Sequence, residues 1–226
     1  MDRDRSAAVD EDASGASPEP AAAAPAAVVP AAGASRRMGR PKPLLAWGDR
    51  SVVGSVIEAL RAGGCGEITL VVAPGDDELA RWGEAAGLAV AENPRPERGM
   101  LSSVLAGVER LGGAGTLARR GVPLLVTPAD LPALAASTVR RVLAALAEGA
   151  ALAVPTHAGR RGHPLGISPP LLPELPALDP AIGLRQLLDR HAADVREVQV
   201  ADPGAVEDVD TPDDYRRLRD ASLRPE

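Results

Sequence analysis

The sequence predicts an α/β protein whose doubly wound, mostly parallel (mixed) sheet has a Rossmann-like, three-layer arrangement. Short apolar runs of strand length alternate along the chain with segments whose apolar residues recur at helical spacing. Glycine-rich or acidic segments follow several of the predicted strands, at the carboxyl ends where open α/β sheets bind their ligands. We find no internal repeat.

The predicted elements account for most of the chain after residue 25. The predicted strands are Ala26–Val29, Ile68–Val72, Leu88–Ala91, Val122–Val126, Ala150–Val154, Leu165–Ile167 and Val195–Val200. The predicted helices are one that begins near Ser51, then Asp77–Ala86, Leu101–Leu111, Val139–Leu146, Gly183–Arg190 and Thr211–Leu218.

Local signals support several of these boundaries. Asp76 is a plausible helix cap, and Thr211 caps the last helix with Pro212 in its first turn. Pro123 must stand at the start of its strand, because proline has no N–H to donate. The segment His157–Gly162 is a predicted turn, so Leu165–Ile167 would return as the second strand of a hairpin.

We predict one folded domain over residues 24–220, between a disordered tail over 1–23 and a C-terminal tail over 221–226. The first 23 residues are rich in Ala, Pro and acidic side chains and have almost no large apolar ones, so they cannot offset their ordering entropy. They carry a net charge of −4 out of −6 for the whole chain, which leaves the domain close to neutral. That balance disfavours nucleic acid as a partner.

The aromatic and cysteine content narrows the possible functions further. The chain has no Phe, one Tyr and two Trp, so the core is aliphatic and few rings are available for stacking on nucleic-acid bases. The single Cys65 implies no disulfide and no zinc site, and it suits a reducing compartment. No run approaches the roughly 18 apolar residues of a membrane-spanning helix. We therefore expect a cytoplasmic protein that does not bind membranes.

A glycine-rich, basic loop follows the first predicted strand, with the sequence Ala31-Ala32-Gly33-Ala34-Ser35-Arg36-Arg37-Met38-Gly39-Arg40-Pro41-Lys42. Small residues allow main-chain N–H groups to approach an anion, and the basic side chains add positive charge. A strand, such a loop and then a helix favour a polyphosphate site. The spacing from Gly33 to Gly39 fits neither a P-loop nor G-x-G-x-x-G, which disfavours P-loop kinases and nicotinamide dehydrogenases. The alternative is a basic surface loop.

Three carboxylates are candidate metal ligands. Asp130 directly follows a predicted apolar strand and precedes Leu-Pro. Asp208 and Asp210 alternate across Val209, so in an extended segment their side chains share one face. Carboxylate oxygens beside a phosphate loop suit Mg²⁺. The alternatives are that Asp130 caps the next helix and that Asp210 caps the helix at Thr211, although neither accounts for Asp208.

Two further segments are candidates for ligand contact. The run Gly99-Met100-Leu101-Ser102-Ser103 opens a predicted helix and could donate hydrogen bonds to a ribose, a base edge or an anion, or could simply be a capped helix start. The run Arg160-Arg161-Gly162-His163-Pro164 forms either a pocket for a phosphorylated acceptor or an ordinary charged turn.

Together these motifs resemble those of the MobA-like nucleotidyltransferases, and the resemblance is closest to the molybdenum cofactor cytidylyltransferase branch. It covers about residues 27–218, with the motifs in family order, including Pro43-Leu44-Leu45 after the basic loop, Asn93-Pro94, Ala129-Asp130-Leu131-Pro132 and the run from Asp208 to Asp214. One departure is Pro30, where that branch usually has Leu. The sequence Pro-Ala-Ala-Gly at this point is more similar to the methylerythritol-phosphate cytidylyltransferases.

The resemblance implies an enzyme that transfers a nucleoside monophosphate from a nucleoside triphosphate to a phosphorylated pterin, with release of pyrophosphate. The implied donor is CTP in preference to GTP, the acceptor is molybdopterin, the cofactor is Mg²⁺ and a recipient of the product is a molybdenum hydroxylase. The implied catalytic residues are Arg37, Lys42 and Asp130. The implied nucleotide contacts are Ala31, Ala32, Gly33, Arg37, Lys42, Gly99, Ser102 and Ser103, the acceptor contacts are Gly162 and His163, and the metal ligands are Asp130 with Asp208 or Asp210.

Three other functions stay open at this point. The first two are a guanylyltransferase acting on the same cofactor and a transferase acting on a sugar phosphate. The third is a non-catalytic protein that delivers molybdopterin to an apo-enzyme. Because the phosphate of the acceptor is already ionised, we expect no general base and no such role for His163.

Overall fold

A computed structural model describes residues 24–33 and 42–222 of the chain. The predicted acidic tail, the middle of the basic loop with Arg37, and the last four residues lie outside the described residues. In the part of the chain that the structure describes, no helix is both long and apolar enough to cross a membrane.

The described residues form ten strands, seven α-helices and five short 3-10 helices. The strands are β1 Ala26–Pro30, β2 Ala46–Trp47, β3 Arg50–Ser51, β4 Glu67–Val72, β5 Ala89–Glu92, β6 Leu124–Val126, β7 Leu152–His157, β8 Arg160–Arg161, β9 Leu165–Ile167 and β10 Val195–Gln199. The α-helices are α1 Val52–Gly63, α2 Asp77–Ala85, α3 Met100–Arg110, α4 Ala114–Arg119, α5 Ala136–Ala147, α6 Arg185–Arg190 and α7 Pro212–Ser222. The 3-10 helices are Lys42–Leu44, Pro96–Arg98, Pro169–Ala177, Ala192–Asp194 and Pro203–Ala205.

Strand β1 lies in the middle of one mixed, mostly parallel sheet whose order is β10-β7-β9-β6-β1-β4-β5. β1 pairs in parallel with β4 and with β6, β4 pairs in parallel with β5, and β10 pairs in parallel with β7. Only β9 breaks this direction within the strand order, pairing antiparallel with both β6 and β7. The carboxyl ends of β1, β4, β5 and β6 therefore meet at one edge of the sheet.

Helices cover both faces of the sheet, which confirms the three-layer prediction. Alternate residues of β1 face opposite sides, so Ala27 and Val29 pack with α1, α2 and α5, while Ala26 and Val28 pack with α3 and α4. The core is aliphatic, as the composition predicts. Cys65 lies in it, and burial raises the pKa of this thiol to about 12, which makes it a packing residue and not a reactive one.

Most of the predicted elements appear with shifts of a few residues at their ends. Asp76 accepts a hydrogen bond from the Leu79 N–H at 3.3 Å and caps α2, as predicted. β6 begins at Leu124, and the carbonyl of Pro123 accepts a hydrogen bond from the Ala26 N–H at 3.0 Å. α7 continues to Ser222, two residues into the segment that the sequence assigned to a tail, and the Ser222 hydroxyl donates to the Leu218 carbonyl at 2.9 Å.

Candidate functional site

The end of β6 brings Asp130 to the end of β1. After β6, the Thr127 and Ala129 N–H groups donate to the carbonyls of Val28 and Pro30, so the chain stays paired with β1 as far as its last residue. Asp130 comes next, beside the start of the glycine-rich loop. Its side chain accepts a hydrogen bond from Lys42 Nζ at 2.8 Å. The Ala135 N–H at the start of the next helix, α5, donates to Asp202 and not to Asp130.

Lys42 bridges two carboxylates that are far apart in the sequence. Its Nζ atom lies 2.8 Å from Asp130 Oδ2 and 3.1 Å from Asp210 Oδ1. The lysine side chain is 14% exposed, whereas that of Asp210 is 51% exposed, so the bridge is buried at the lysine and open to solvent at Asp210; this open side of the bridge is called the cleft below. Burial lowers the pKa of Lys42, but the hydrogen bonds and attraction of these carboxylates outweigh it and raise the pKa above its usual value.

Asp130, Asp208 and Asp210 form a compact carboxylate cluster. Each offers one oxygen, and these oxygens all lie within 4.8 Å of one another. Burial, followed by repulsion from Asp210 and Asp130, raises the pKa of Asp208. Such a set of hard oxygen donors fits a divalent cation such as Mg²⁺ or Mn²⁺, which prefers carboxylate ligands.

The start of α7 explains why Asp210 is available to Lys42. The Thr211 hydroxyl accepts from the Asp214 N–H at 3.1 Å, and the Asp214 carboxylate accepts from the Thr211 N–H at 3.0 Å. This reciprocal pair caps the helix. Thr211 therefore has the capping role that the sequence predicted, and the Asp210 side chain is directed to the carboxylate cluster.

Asp202, to which the sequence assigned no role, ties the segment before the carboxylates to α5. Its Oδ2 accepts hydrogen bonds from the Ala135 N–H at 3.0 Å and from the Thr138 hydroxyl at 2.6 Å. Its Oδ1 accepts from the Gly204 N–H at 3.0 Å. Helix α5 has no capping side chain of its own, and the Asp-Pro-Gly turn at 202–204 supplies one from 67 residues away.

Gly162 packs closely against the 3-10 helix at 203–205, and this contact places the next residue, His163, near Asp130 and Asp208. A Cβ at Gly162 would lie 2.1 Å from the Ala205 carbonyl oxygen, so only glycine fits. The same oxygen accepts from the His163 N–H at 2.8 Å. Burial lowers the pKa of His163, although Val126, Asp130 and Asp208 act in the opposite direction. Its Nδ1 is buried and has no hydrogen-bond partner among the residues that the structure describes.

The remaining predicted contacts lie along the same edge of the sheet, on both sides of β4. Ala31 and Ala32 are buried at the end of β1, and the Ala31 N–H donates to the Val71 carbonyl at 2.8 Å. Gly33 is exposed, and no atom of the other described residues lies within 4 Å of a Cβ built on it.

The segment from Asn93 to Ser103 follows β5, beyond β4, and is held by its own hydrogen bonds. Asn93, which is 1% exposed, donates through Nδ2 to the hydroxyls of Ser102 at 2.8 Å and Ser103 at 2.9 Å. Ser103 is buried, so its hydroxyl belongs to the support of the loop. The exposed residues of this segment are Pro94, Arg95 and those from 97 to 100, among which Gly99 has a φ of +85°.

A compositional signal that the sequence reasoning missed singles out Lys42. The chain has 25 basic residues, and Lys42 is the one lysine among them. A chain that otherwise uses arginine for every basic side chain keeps a lysine at the position that bridges Asp130 and Asp210. This signal is readable from the sequence alone.

Comparisons with known proteins agree with the fold and the motifs. Residues 27–195 match the family model of the MobA-like NTP transferase domain. The chain is 29% identical over 193 residues to the molybdenum cofactor cytidylyltransferase of Escherichia coli (strain K12), covering 83% of this chain and 92% of that protein. It is 30% identical over 200 residues to the nicotine blue oxidoreductase of Paenarthrobacter nicotinovorans, covering 84% of this chain and 94% of that protein.

Among solved structures, the Rv0371c protein of Mycobacterium tuberculosis H37Rv is similar with a TM-score of 0.74 and 28% identity. That match covers 88% of this chain and 100% of the other. A complex of the same mycobacterial protein with manganese is similar with a TM-score of 0.66 and 29% identity, covering 88% of this chain and 100% of the other. Because the family model spans most of the chain and the mixed sheet agrees with it, the chain belongs to the MobA-like NTP transferase family.

Proposed function

We propose that this protein is a metal-dependent cytidylyltransferase that transfers CMP from CTP to the phosphate of molybdopterin and releases pyrophosphate. The observation that carries the proposal is the group formed by Lys42, Asp130, Asp208 and Asp210 at the carboxyl end of β1 and β6. Family membership supports nucleotidyl transfer, and the similarity to the Escherichia coli cytidylyltransferase favours CTP and molybdopterin.

The main task of such a site is to reduce charge repulsion. In the reaction, a phosphate oxygen of the acceptor attacks the α-phosphorus of CTP, the bond from that phosphorus to the bridging oxygen breaks, and pyrophosphate leaves with the electron pair. Both reactants are anions, so fixed positive charge and orientation supply most of the catalysis. Lys42 and Arg37 would supply that charge, with Ala31, Ala32 and Gly33 binding the nucleotide through the main chain.

The carboxylate cluster would hold the metal, with Asp130 and one or both of Asp208 and Asp210 as ligands. A bound Mg²⁺ or Mn²⁺ would offset charge on the α-phosphate and on the pyrophosphate that leaves. The manganese complex of the mycobacterial relative supports a divalent cation in this fold. We propose that Gly99 and Ser102, with the buried Ser103 behind them, lie near the base and ribose, and that Gly162 and His163 lie near the acceptor.

His163 has no proton to remove in this reaction. The attacking phosphate oxygen is already ionised near neutral pH, and burial lowers the pKa of the imidazole. We therefore propose that His163 shapes the acceptor side of the cleft as a neutral ring. The pH–rate profile of His163→Ala should keep every limb of the parent profile, and the loss of one limb would contradict this role.

The direct test is transfer with defined substrates. The purified protein is incubated with molybdopterin, MgCl₂ and either CTP or GTP, and both pyrophosphate and the pterin dinucleotide are measured by mass spectrometry. We expect pyrophosphate and the cytosine dinucleotide with CTP alone. The guanine dinucleotide instead would make the protein a guanylyltransferase, and no pyrophosphate with either nucleotide would contradict the proposal.

A thermal-shift panel separates two alternatives that the sequence left open. CTP, GTP, ATP and UTP are each added with and without Mg²⁺, at about 100 times the dissociation constant. At that concentration a bound ligand raises the free energy of unfolding by roughly 2.7 kcal/mol. A shift with none of them would favour delivery of molybdopterin without catalysis. A shift together with pyrophosphate release on sugar phosphates would favour a sugar-phosphate transferase.

A second candidate function is oxidoreduction, because the chain is 30% identical to a relative named as an oxidoreductase. That relative is covered over 94% of its length, so the similarity is not confined to a fragment. The test measures the oxidation of NADPH or NADH by absorbance, with a quinonoid dye as the electron acceptor. The carboxylate cluster with its lysine favours nucleotidyl transfer, and we expect no oxidation.

A further inference from the structure

We infer that Lys42, besides supplying charge to the triphosphate, couples metal binding to triphosphate binding. Its ammonium serves as the counter-ion of Asp130 and Asp210 until a triphosphate draws it away, and only then is the carboxylate cluster free to bind a divalent cation tightly. The inference rests on the proposed function, because the triphosphate is the group that moves Lys42.

The geometry makes the ammonium and the metal competitors. Lys42 Nζ is within hydrogen-bond distance of two of the three carboxylates in the cluster, at 2.8 Å from Asp130 and 3.1 Å from Asp210. Mg²⁺ binds oxygen at about 2.0–2.1 Å, so it would need the same oxygens at closer range. Two positive charges this close repel strongly in a partly buried site. The lysine therefore lowers the affinity of the metal-free, nucleotide-free protein for a cation.

A polyanion reverses the competition. The described residues 31–33 follow the last residue of β1, and the Ala129 N–H, next to Asp130, donates to the Pro30 carbonyl at 3.2 Å. A triphosphate bound by the main chain at 31–33 would therefore lie beside the carboxylate that holds the ammonium. When the ammonium turns to a phosphate oxygen, Asp130 and Asp210 lose their counter-ion and repel each other and Asp208. That repulsion is relieved by a divalent cation. Thermodynamic linkage then requires each ligand to strengthen the other to the same degree.

A lysine at position 42 fits this role better than an arginine, the basic residue that the chain uses everywhere else. An ammonium is a compact point charge on a flexible stem, which can exchange one oxygen partner for another by rotation. A guanidinium presents a rigid planar fork that binds one carboxylate in a bidentate way and releases it less readily. Among 25 basic residues, Lys42 is the single lysine, and it stands at the position where exchange is needed.

Calorimetric titration with MnCl₂ alone tests the competition. We compare the parent protein, Lys42→Met and the control Arg120→Met, which removes one cation paired with Glu67 at 2.6 Å at the opposite end of the sheet. We expect Lys42→Met to bind Mn²⁺ about tenfold more tightly than the parent, because a charge-assisted contact no longer competes. Arg120→Met should bind as the parent does. Unchanged or weaker binding by Lys42→Met would overturn the inference.

A further variant locates the site of that binding. Asp130→Asn in the Lys42→Met background should remove the added Mn²⁺ affinity. If it does not, the metal binds elsewhere and the inference is wrong.

A second measurement uses the unsubstituted sequence, so it does not depend on how a variant folds. Reductive methylation with ¹³C-formaldehyde labels the one lysine side chain and the α-amino group of this protein, and the methyl resonance that is absent from labelled Lys42→Met is assigned to Lys42. Inorganic tripolyphosphate without metal should move this resonance, and MgCl₂ added afterwards should bind more tightly than MgCl₂ added alone. A resonance that does not respond to tripolyphosphate would overturn the inference.

Tripolyphosphate has neither base nor acceptor, which separates the two proposals. If CTP and GTP both fail to release pyrophosphate while the Lys42 resonance and the Mn²⁺ affinities respond as expected, the proposed reaction fails and the coupling stands. If pyrophosphate is released while the affinities do not respond, the coupling fails and the reaction stands.

Discussion

The Val209 N–H donates to the main-chain carbonyl of Asp130 at 2.9 Å, which joins the segment before α7 to the end of β6. The Val209 side chain is fully buried in a cluster with Trp47, Val52 and Leu218. Because side chains alternate along an extended segment, Asp208 and Asp210 then point away from that cluster. One main-chain hydrogen bond and one buried valine thus place both carboxylates beside the Asp130 side chain.

Replacement of Asp130 should separate catalysis from stability. Asp130→Asn removes a charged oxygen that both Lys42 and the proposed metal use, so we expect turnover to fall by about 100-fold or more. The Asp130 carbonyl still accepts from Val209, so the thermal midpoint should change by only a few degrees. Steady-state pyrophosphate release and a melting curve measure the two effects.

The matched control for this substitution is Asp49→Asn. The Asp49 side chain is 82% exposed and pairs with Arg50 at 3.4 Å. Asp49→Asn removes one carboxylate from the surface. The turnover of this variant should stay within about twofold of the parent, because most exposed ion pairs contribute little. Full activity of Asp130→Asn would refute the metal role of that carboxylate.

Asp202→Ala should weaken both the fold and the proposed metal site. The substitution leaves the Ala135 N–H, the Thr138 hydroxyl and the Gly204 N–H without their acceptor. We expect a loss of about 2 kcal/mol, or roughly 4–8 °C in the midpoint for a chain of this size. Because the 203–205 helix then detaches from α5, Mn²⁺ affinity should also fall several-fold.

Asp202→Asn and Asp220→Ala serve as its references. The amide of Asp202→Asn keeps one acceptor oxygen, so it should recover part of the stability and of the metal affinity. Asp220 pairs with its neighbour Arg219 on the surface, and Asp220→Ala should be neutral in both measurements. If Asp202→Ala loses stability but keeps the parent's Mn²⁺ affinity, Asp202 does not position the carboxylates.

The sequence predicted the central strands well because each combines strong local signals. The run that contains β4 is bounded by glycine and proline, and Asp76 marks the start of α2 four residues after Val72, the last residue of that strand. Helix α4 was missed because Gly112 and Gly113 directly precede it and are typical of a loop. Strands β2 and β3 were missed because two residues each are too short for any periodicity.

The sequence predicts which residues form the candidate site, but it does not predict which of them contact each other. The acidic motif and the strand-end aspartate follow from local patterns, as does Thr211 as a cap. The pairing of Lys42 with Asp130 joins positions 88 residues apart, and the contact of Gly162 with Ala205 depends on how a hairpin packs on a 3-10 helix. No local signal encodes these distances.

Gly162→Ala should disrupt the acceptor side of the cleft. The added Cβ would lie 2.1 Å from the Ala205 carbonyl oxygen and 2.7 Å from Val206 Cγ1, so the main chain has to move. Overpacking of this kind costs typically 1–3 kcal/mol. The His163 N–H would also lose its 2.8 Å bond to Ala205, so we expect weaker binding of the acceptor at unchanged CTP affinity.

Gly115→Ala is the control for the glycine substitution. Gly115 lies in α4, and the nearest atom to its Cβ would be Arg119 Nη1 at 3.4 Å. Alanine should stabilise that helix by up to about 1 kcal/mol and leave both ligands' binding unchanged. Equal thermal midpoints for Gly162→Ala and the parent would contradict the prediction, because they would show that the main chain at Ala205 moves without loss of stability.

The cap of α7 predicts a defined dependence of stability on pH. The hydrogen bond from the Thr211 hydroxyl lowers the pKa of Asp214 below its ordinary 3.8, with smaller help from the Thr211 N–H and Arg217. A carboxylate whose pKa is lower in the folded protein stabilises it at pH values above the unfolded pKa. That contribution is lost as the pH falls through the lower, folded value.

Melting curves of the parent, Thr211→Val and Asp214→Asn from about pH 3 to pH 8 test this dependence. Thr211→Val should lower the midpoint by about 2–4 °C near neutral pH, because a helix loses its cap. The difference between the parent and Asp214→Asn should be constant above about pH 5 and shrink below 3.8, where the parent's own carboxyl becomes protonated. A difference that stays constant down to pH 3 would mean that the charge of Asp214 does not stabilise α7.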